Sequence, residues 1–172
     1  KRQRAFARSA LRHCAQTSGA PSDGWRQAPG GAPFPQGPWH WSISHTRTMA
    51  AAVIATTPVG IDVERIAPRR TDLFDQVAAE EEWVLLGGRD WANFFALWTA
   101  KEAALKAHGR GIGYLSRCRL IAVGEKAWTV AFDAHQVVVQ HFRHGEYVVA
   151  VAGVDEAVGW RVVDLDPETD LP

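Results

Sequence analysis

Two segments of this sequence combine residue types that could perform chemistry. A GIDVE segment predicts a short strand, in which Asp62 and Glu64 point to the same side because alternate strand residues share a face. A WTAKEAALK segment predicts a helix, in which Glu102 and Lys106 lie four positions apart on one face. If the two faces meet, three carboxylates and a lysine form a site for a magnesium-dependent reaction on a phosphate ester.

Each of these acidic segments also has an ordinary structural explanation. A bare D-x-E pattern is typical of a solvated strand end, and a Glu–Lys pair four positions apart is typical of a surface ion pair worth about 0.3 kcal/mol. Lys101 is one residue off the face of that pair and has the same weak status. The acidic run 80–82 is typical of a solvated helix face, although one member could act as a general base if it reached a cation site.

A third polar group follows the predicted strand at 40–45. Ser44 and His45 stand just before Thr46 and Arg47, so hydroxyl, imidazole and guanidinium groups meet at a strand end. These groups are suited to hold a phosphate. A hairpin turn with a polar tip explains the same residues, and the sequence leaves both interpretations open.

The bulk composition excludes a global electrostatic attraction to nucleic acid or to a membrane surface. The 172 residues carry 19 basic and 19 acidic side chains, so an anion site must be local. Cys14 and Cys118 lack metal-ligand spacing and favour reduced thiols over a disulfide. No apolar run approaches the ~18 residues of a membrane span. We therefore expect a cytoplasmic protein.

Hydrophobic periodicity predicts an α+β fold with antiparallel sheet. A helix over 1–16 and a long Pro- and Gly-rich loop over 17–38 precede three strands, and short connections suggest that consecutive strands pair. Two helices and four strands follow, with a fifth strand candidate at 160–163. The strands are predicted at 40–45, 49–55, 59–64, 119–123, 128–132, 136–142 and 146–152, and the helices at 71–86 and 90–108.

The ordered segments together resemble the signature of one family, the phosphopantetheinyl transferases. WSISHT at 41–46, GIDVE at 60–64 and FFALWTAKEAALK at 94–106 occur in the order and spacing of the longer monomeric type, which activates synthetases of peptides, polyketides and siderophores. Any one block is weak, whereas the ordered trio is specific. The resemblance covers roughly residues 1–150.

The resemblance implies a reaction and an architecture. The family transfers the phosphopantetheine arm of coenzyme A to a serine of an acyl or peptidyl carrier protein and releases adenosine 3′,5′-bisphosphate. The implied fold has two similar lobes of antiparallel sheet packed with helices and related by a pseudo-twofold axis. We expect an N-terminal lobe over 1–65, a C-terminal lobe over 66–165 and a tail over 166–172, in a monomer of secondary-metabolite biosynthesis.

The resemblance also implies roles for single residues. Asp62, Glu64 and Glu102 fall on the family's metal-ligand positions for Mg²⁺, with Mn²⁺ as an alternative. Lys106 falls on the phosphate-contacting lysine and would also serve in catalysis.

Three further site residues follow from the same resemblance. Ser44 and His45 match the Ser-His pair that binds coenzyme A, with His45 toward the 3′-phosphate. Glu82 matches the general base for the carrier serine, and Glu81 is the alternative.

Two features depart from the family pattern or extend it. A Gly-(Lys or Arg)-Pro motif is expected ahead of the Ser-His block, but residues 31–33 read Gly-Ala-Pro, and the family's preceding strand is absent or lies upstream of Lys1. Residues 109–115 match the region that contacts the carrier protein, and Arg110 within it and Arg117 and Arg119 just after it would supply local positive charge toward an acidic partner.

A non-catalytic module that binds coenzyme A or a carrier protein is the alternative function, and an unrelated Mg²⁺-dependent phosphohydrolase is a third.

Overall fold

A computed structural model describes residues 2–164 of the chain, apart from the side chains of Arg2 and Arg4. The predicted α+β class is confirmed, because helices pack against sheets built from antiparallel strand pairs. The helices are α1 (Arg2–Ser18), α2 (Leu73–Val77), α3 (Glu80–Leu85), α4 (Trp91–Ala107) and a 3₁₀ helix (Ile112–Arg117). The strands are β1 (His40–His45), β2 (Ala50–Ala55), β3 (Gly60–Arg65), β4 (Cys118–Val123), β5 (Trp128–Phe132), β6 (His135–His144) and β7 (Tyr147–Ala152). The predicted tail over 166–172 lies outside the described residues.

The strands form a two-stranded sheet of β1 and β2 and a five-stranded sheet in the order β3-β7-β6-β5-β4. The predicted pairing of consecutive strands is wrong for β2 and β3, since β3 pairs with β7 and places Asp62 opposite Ala150. β2 and β3 instead meet through an apolar cluster that contains Val53, Ile61 and Val63, so side chains join them where backbone hydrogen bonds were expected. The division into two similar lobes at residue 65 stays a prediction.

The predicted helix over 71–86 is also wrong, because the chain forms two short helices with a break at Ala78 and Ala79. Both residues adopt extended backbone conformations. The backbone groups that the break leaves unpaired find side-chain partners: Lys101 Nζ donates to the Val77 carbonyl, and the Glu82 carboxylate accepts from the Ala79 N–H. A break in a helix is tolerated where its orphan groups are satisfied in this way.

The segment that follows β7 is held by side-chain hydrogen bonds and by stacking of Trp160 on Phe142, not by a further strand. In the part of the chain that the structure describes, residues 160–163 form no strand, against the sequence expectation. Gln140 donates from Nε2 to the carbonyls of Val154 and Glu156, and its Oε1 accepts from the Val158 N–H. These side-chain bonds replace the ladder that a strand would make.

Helix α4 is the central element of the main core. Asp90 caps its N-terminus by accepting from the Asn93 N–H at 2.8 Å. Its buried residues lie around most of the helix circumference, which is typical of a helix enclosed on several sides. One side packs on the five-stranded sheet, and another contacts α2 and the 3₁₀ helix. Cys118 lies in this core as a free thiol, and Cys14 is also free.

Gly60 sets the distance between β3 and α4. A Cβ at this position would collide with the Ala103 carbonyl oxygen and would lie 2.6 Å from the Ala107 backbone N. Both contacts are with helix backbone, which cannot turn aside as a flexible side chain can. The absence of a side chain at Gly60 therefore lets the strand that carries Asp62 lie directly against the helix that carries Lys106.

Replacing Gly60 by alanine is expected to force β3 and α4 apart. We expect Gly60→Ala to lower the free energy of unfolding by about 2 kcal/mol, the cost of an overpacked core, measured by urea denaturation. Gly30→Ala is the matched control, because a Cβ at Gly30 meets nothing within 4 Å. Equal stability of the two variants would contradict this close approach.

Candidate active site

The strand side of the site is built around Asp62. Its side chain points toward α4 from the middle of β3 and is buried. Oδ1 accepts from Lys106 Nζ at 2.7 Å and from Ser44 Oγ at 2.7 Å. Oδ2 is buried and, among the described residues, has no hydrogen-bond partner. Asp62 thus joins β1, β3 and α4 while it keeps one oxygen available.

The helix side of the site consists of Glu102 and Lys106. Lys106 Nζ donates to Asp62 and also to the Ile61 carbonyl at 3.0 Å, so its ion pair reaches across to β3 instead of along α4. Glu102 Oε1 is buried and has no partner in the described part of the chain. The surface ion pair between Glu102 and Lys106, which was one interpretation of the sequence, is therefore not what forms.

Glu64 completes the acidic group at the exposed end of the same strand face. It lies two residues beyond Asp62 and is partly buried. Burial raises the pKa of its carboxyl, the charge of Asp62 raises it further, and Arg69 lowers it. Burial also raises the pKa of Glu102, with repulsion from Asp62 and Glu64 adding to the effect and Lys106 opposing it. The three carboxylates predicted as metal ligands therefore act on one another electrostatically.

The donor set of this acidic group fits a hard cation that is completed by a substrate. Among residues 2–164, no group of three or more acidic, histidine or cysteine side chains is arranged as a ready-made metal site. Mg²⁺, however, typically takes one or two protein carboxylates and fills its octahedron with water and phosphate oxygens. The unpartnered oxygens of Asp62 and Glu102 suit that mode of binding.

Strand β1 contributes Ser44 directly and His45 at its end. Ser44 reaches Asp62, while Ser42 Oγ accepts from the Ile61 N–H at 3.1 Å, so two serines of β1 fasten it to β3. His45 is exposed and follows Ser44 on the opposite side of the strand. The predicted contact of His45 with a phosphate stays a prediction.

Glu82 occupies a different environment from the acidic group. It is buried, with Oε1 2.7 Å from Lys101 Nζ and accepting from the Leu120 N–H, while Oε2 accepts from the Ala79 N–H. Glu81 is exposed on the same helix. The base role of either residue stays a prediction.

Lys101 is buried, although its position in the sequence suggests a surface lysine. Its side chain is 2% exposed. The available signal was its position in a helix whose neighbouring residues are apolar on nearly every side, where a lysine must be paired if it is buried.

The segment after α4 forms an exposed surface of cations and aromatic rings. The guanidinium groups of Arg110 and Arg117 lie 5.4 and 5.6 Å from the ring centre of Tyr114. Arg117 also forms an ion pair with Asp133 at 2.6 Å. Ile112 is 54% exposed beside them. Part of the positive charge is thus neutralised, while the arginine side chains are held in place by the ring.

The predicted nucleotide-binding region is less complete than the acidic group. Ala32 lies in the loop before β1, and Arg26 and Arg47 are both exposed. Arg8 does not contribute a free cation, because it donates to the Trp25 carbonyl and to Gln27 Oε1.

Comparison with known proteins assigns the chain to a family. Residues 58–152 match the model of the 4′-phosphopantetheinyl transferase superfamily. The chain belongs to this superfamily. The matched region contains β3 and α4, and therefore Asp62, Glu64, Glu102 and Lys106, whereas β1 precedes it.

None of the helices described in the structure is long and apolar enough to cross a membrane.

Several curated bacterial proteins are similar to somewhat less than half of this chain. The 4′-phosphopantetheinyl transferase gsp of Aneurinibacillus migulanus is 36% identical over 86 residues, which covers 48% of this chain and 36% of that protein. The transferase psf-1 of Bacillus pumilus is 34% identical over 80 residues, covering 44% and 34%. Sfp of Bacillus subtilis (strain 168) is 27% identical over 77 residues, covering 42% and 34%. The matches therefore span about a third of the length of these relatives.

The burial of Glu102 and its repulsion from neighbouring carboxylates predict that its charge lowers the free energy of unfolding at neutral pH. A carboxyl whose folded-state pKa is raised stabilises the fold below its unfolded value, near 4.5 for Glu102, and loses that stability as pH rises through the folded value. We therefore expect Glu102→Gln to raise the free energy of unfolding at pH 7 by about 1 kcal/mol, measured by urea denaturation. The gain should shrink as pH falls toward 4.5.

The control for this prediction is Glu125→Gln, which removes an exposed carboxylate from the loop between β4 and β5. Its stability should equal that of the unmodified chain at both pH values. A Glu102→Gln variant that is less stable at pH 7 would show that the carboxylate stabilises the fold.

Proposed function

We propose that this protein transfers the phosphopantetheine arm of coenzyme A to a serine of an acyl or peptidyl carrier protein. The serine hydroxyl oxygen forms a bond to the phosphorus on the pantetheine side of the pyrophosphate. The bond from that phosphorus to the bridging oxygen breaks, the serine loses its proton, and adenosine 3′,5′-bisphosphate leaves. The observation that carries this proposal is the contact of Lys106 with Asp62, beside two unpartnered carboxylate oxygens, within the region that matches the family.

Asp62, Glu64 and Glu102 are the residues that would hold Mg²⁺, or Mn²⁺ in its place. When bound, the metal would neutralise charge on the pyrophosphate and on the leaving group. The mutual repulsion of these carboxylates disfavours the charged site without a cation, so a divalent ion would relieve it. The buried position of Asp62 strengthens each electrostatic interaction made there.

Lys106 is positioned to hold a phosphate oxygen. A lysine ammonium has three protons, and two of them are directed to Asp62 Oδ1 and to the Ile61 carbonyl. The third proton is left for a substrate oxygen, and the two fixed bonds determine where it points. This arrangement supports the role of Lys106 in charge stabilisation during the transfer.

Ser44 and His45 are proposed to bind the phosphates of coenzyme A, with His45 toward the 3′-phosphate. Ser44 already lies at the site through its bond to Asp62, and His45 is accessible at the strand end. The carrier protein is proposed to dock on the surface of Arg110, Tyr114 and Arg117, where fixed cations would attract an acidic partner. The monomeric state and the cytoplasmic location stay predictions.

A mass measurement on a carrier protein tests the proposed transfer. The protein is incubated with coenzyme A, Mg²⁺ and an apo carrier protein, and the carrier should gain the mass of the phosphopantetheine arm. Asp62→Asn should reduce the rate roughly 100-fold or more, because it removes a charge from the reacting centre. Glu125→Gln should retain the full rate.

The other outcomes of this assay identify the alternatives. Tight binding of coenzyme A with no gain in carrier mass would show a non-catalytic module and overturn the proposal. Release of phosphate without a carrier protein would show a phosphohydrolase. Transfer that survives in both Asp62→Asn and Glu102→Gln would overturn the metal assignment alone.

Metal binding can be measured without turnover. A ligand that binds only the folded state stabilises it, by about 1.4 kcal/mol when the ligand is tenfold above its dissociation constant. Mg²⁺ with coenzyme A should therefore raise the melting temperature of the unmodified chain and have a much smaller effect on Asp62→Asn. An equal rise in both proteins would place the cation elsewhere.

A further inference from the structure

A buried ion pair lies next to the proposed active site but outside it. Lys101 Nζ lies 2.7 Å from Glu82 Oε1, and the two side chains are 2% and 7% exposed. Lys101 also donates to the Val77 carbonyl at 2.7 Å. Glu82 accepts from the backbone N–H groups of Leu120 at 2.7 Å and Ala79 at 3.0 Å. The pair thus connects α4 to the end of α2, to α3 and to the edge strand β4.

Stability of the fold is a poor explanation for this pair. Removing two charges from water is costly, and a buried ion pair is often no better than apolar side chains of similar volume. The surroundings here are strongly apolar, since α4 contributes Leu97, Ala100 and Leu105 to the same core. A fully bonded polar group in such a core does, however, fix geometry, because each bond has a direction that apolar packing lacks.

The geometry fixed by Lys101 includes the orientation of the catalytic face. Lys101 and Glu102 are consecutive on α4 and therefore point about 100° apart around the helix axis. Lys101 is anchored toward α3 and β4, while Lys106, four residues beyond Glu102, contacts Asp62 on β3. A rotation of the helix by about 10° would move an atom 6 Å from its axis by about 1 Å. If the side chain does not follow, a displacement of that size lengthens the 2.7 Å contact of Lys106 Nζ with Asp62 Oδ1 beyond hydrogen-bond distance.

We propose that Lys101 and Glu82 are positioning residues that fix the rotation of α4, so that Glu102 and Lys106 face Asp62. This inference rests on the proposed function. In this role Glu82 acts by holding Lys101. It does not take the proton of the carrier serine, which is the role that the family resemblance implies. The Val77 carbonyl and the two N–H groups that Glu82 binds make the anchor specific for one arrangement of four elements.

The kinetic test compares Lys101→Met and Glu82→Gln in the full chain, using coenzyme A, Mg²⁺ and an apo carrier protein. Both variants should lose about 100-fold in kcat, the usual effect of misplacing a reacting group by about 1 Å. The pH–rate profile of Glu82→Gln should keep its shape at the lower rate. Lys126→Met and Glu125→Gln, two exposed residues of one loop, are the matched controls and should keep the full rate.

A double variant separates positioning from folding. Lys101→Met with Glu82→Gln removes both charges and leaves an acceptor for the backbone N–H groups, so it should be more stable than Lys101→Met alone. Transfer should nevertheless stay low. Recovery of both stability and rate would overturn the inference, as would a Glu82→Gln variant that loses the acidic limb of the profile while Lys101→Met keeps its kcat.

A second readout does not depend on catalysis. The coupling between Asp62 and Lys106 is measured by urea unfolding of Asp62→Asn, Lys106→Met and their combination, first in the unmodified chain and then with Lys101→Met. We expect this coupling to change the folding equilibrium constant several-fold in the unmodified chain. In the Lys101→Met background the effect should fall close to onefold. Unchanged coupling would overturn the inference. Lost coupling in a protein that transfers nothing would overturn only the proposed function.

Discussion

The contact between Lys106 and Asp62 is the interaction on which the rest of the site depends. It joins the central helix to the strand at the edge of the five-stranded sheet, and Ser44 adds the neighbouring two-stranded sheet through the same carboxylate oxygen. One charged pair therefore aligns three elements that are distant in sequence. The contact requires the close approach of β3 and α4, which a glycine at position 60 permits.

The same arrangement explains why the site is chemically useful and energetically unfavourable. One carboxylate oxygen of Asp62 bonds to protein groups, while the other is buried and, among the described residues, has no partner. Glu102 also has a buried oxygen without a partner there. Buried polar atoms without partners cost free energy, and burial, together with repulsion from Asp62, raises the pKa values of Glu64 and Glu102. These unpartnered oxygens support the proposal that the site holds a cation and a pyrophosphate.

The sequence predicted those features of the site that depend on local spacing. Asp62 and Glu64 were placed on one face by strand alternation, and Glu102 and Lys106 on one face by helix periodicity, and each placement agrees with the structure. The family resemblance supplied what spacing alone could not, namely that the two faces meet. It also assigned Ser44 to the same site; in the structure Ser44 bonds to Asp62, and its role in binding coenzyme A stays a prediction.

The features that were missed depend largely on contacts between distant segments. The break at Ala78 and Ala79 is accommodated partly by a local bond, from the Ala79 N–H to Glu82, and partly by Lys101, which lies 24 residues from the Val77 carbonyl that it binds. β3 pairs with β7 instead of β2, and the paired residues are more than eighty positions apart in the sequence. Lys101 resembled a surface lysine because burial of a charge is decided by its partner, and that partner lies on another helix.

A crystal structure of the chain with coenzyme A and Mg²⁺ would show directly whether the site holds a cation and a pyrophosphate. We expect the cation to bind the free oxygens of Asp62 and Glu102 together with the pyrophosphate, and Lys106 to donate its remaining proton to a phosphate oxygen. A pyrophosphate bound away from β3 and α4, with Asp62 and Glu102 contacting neither metal nor substrate, would contradict this expectation.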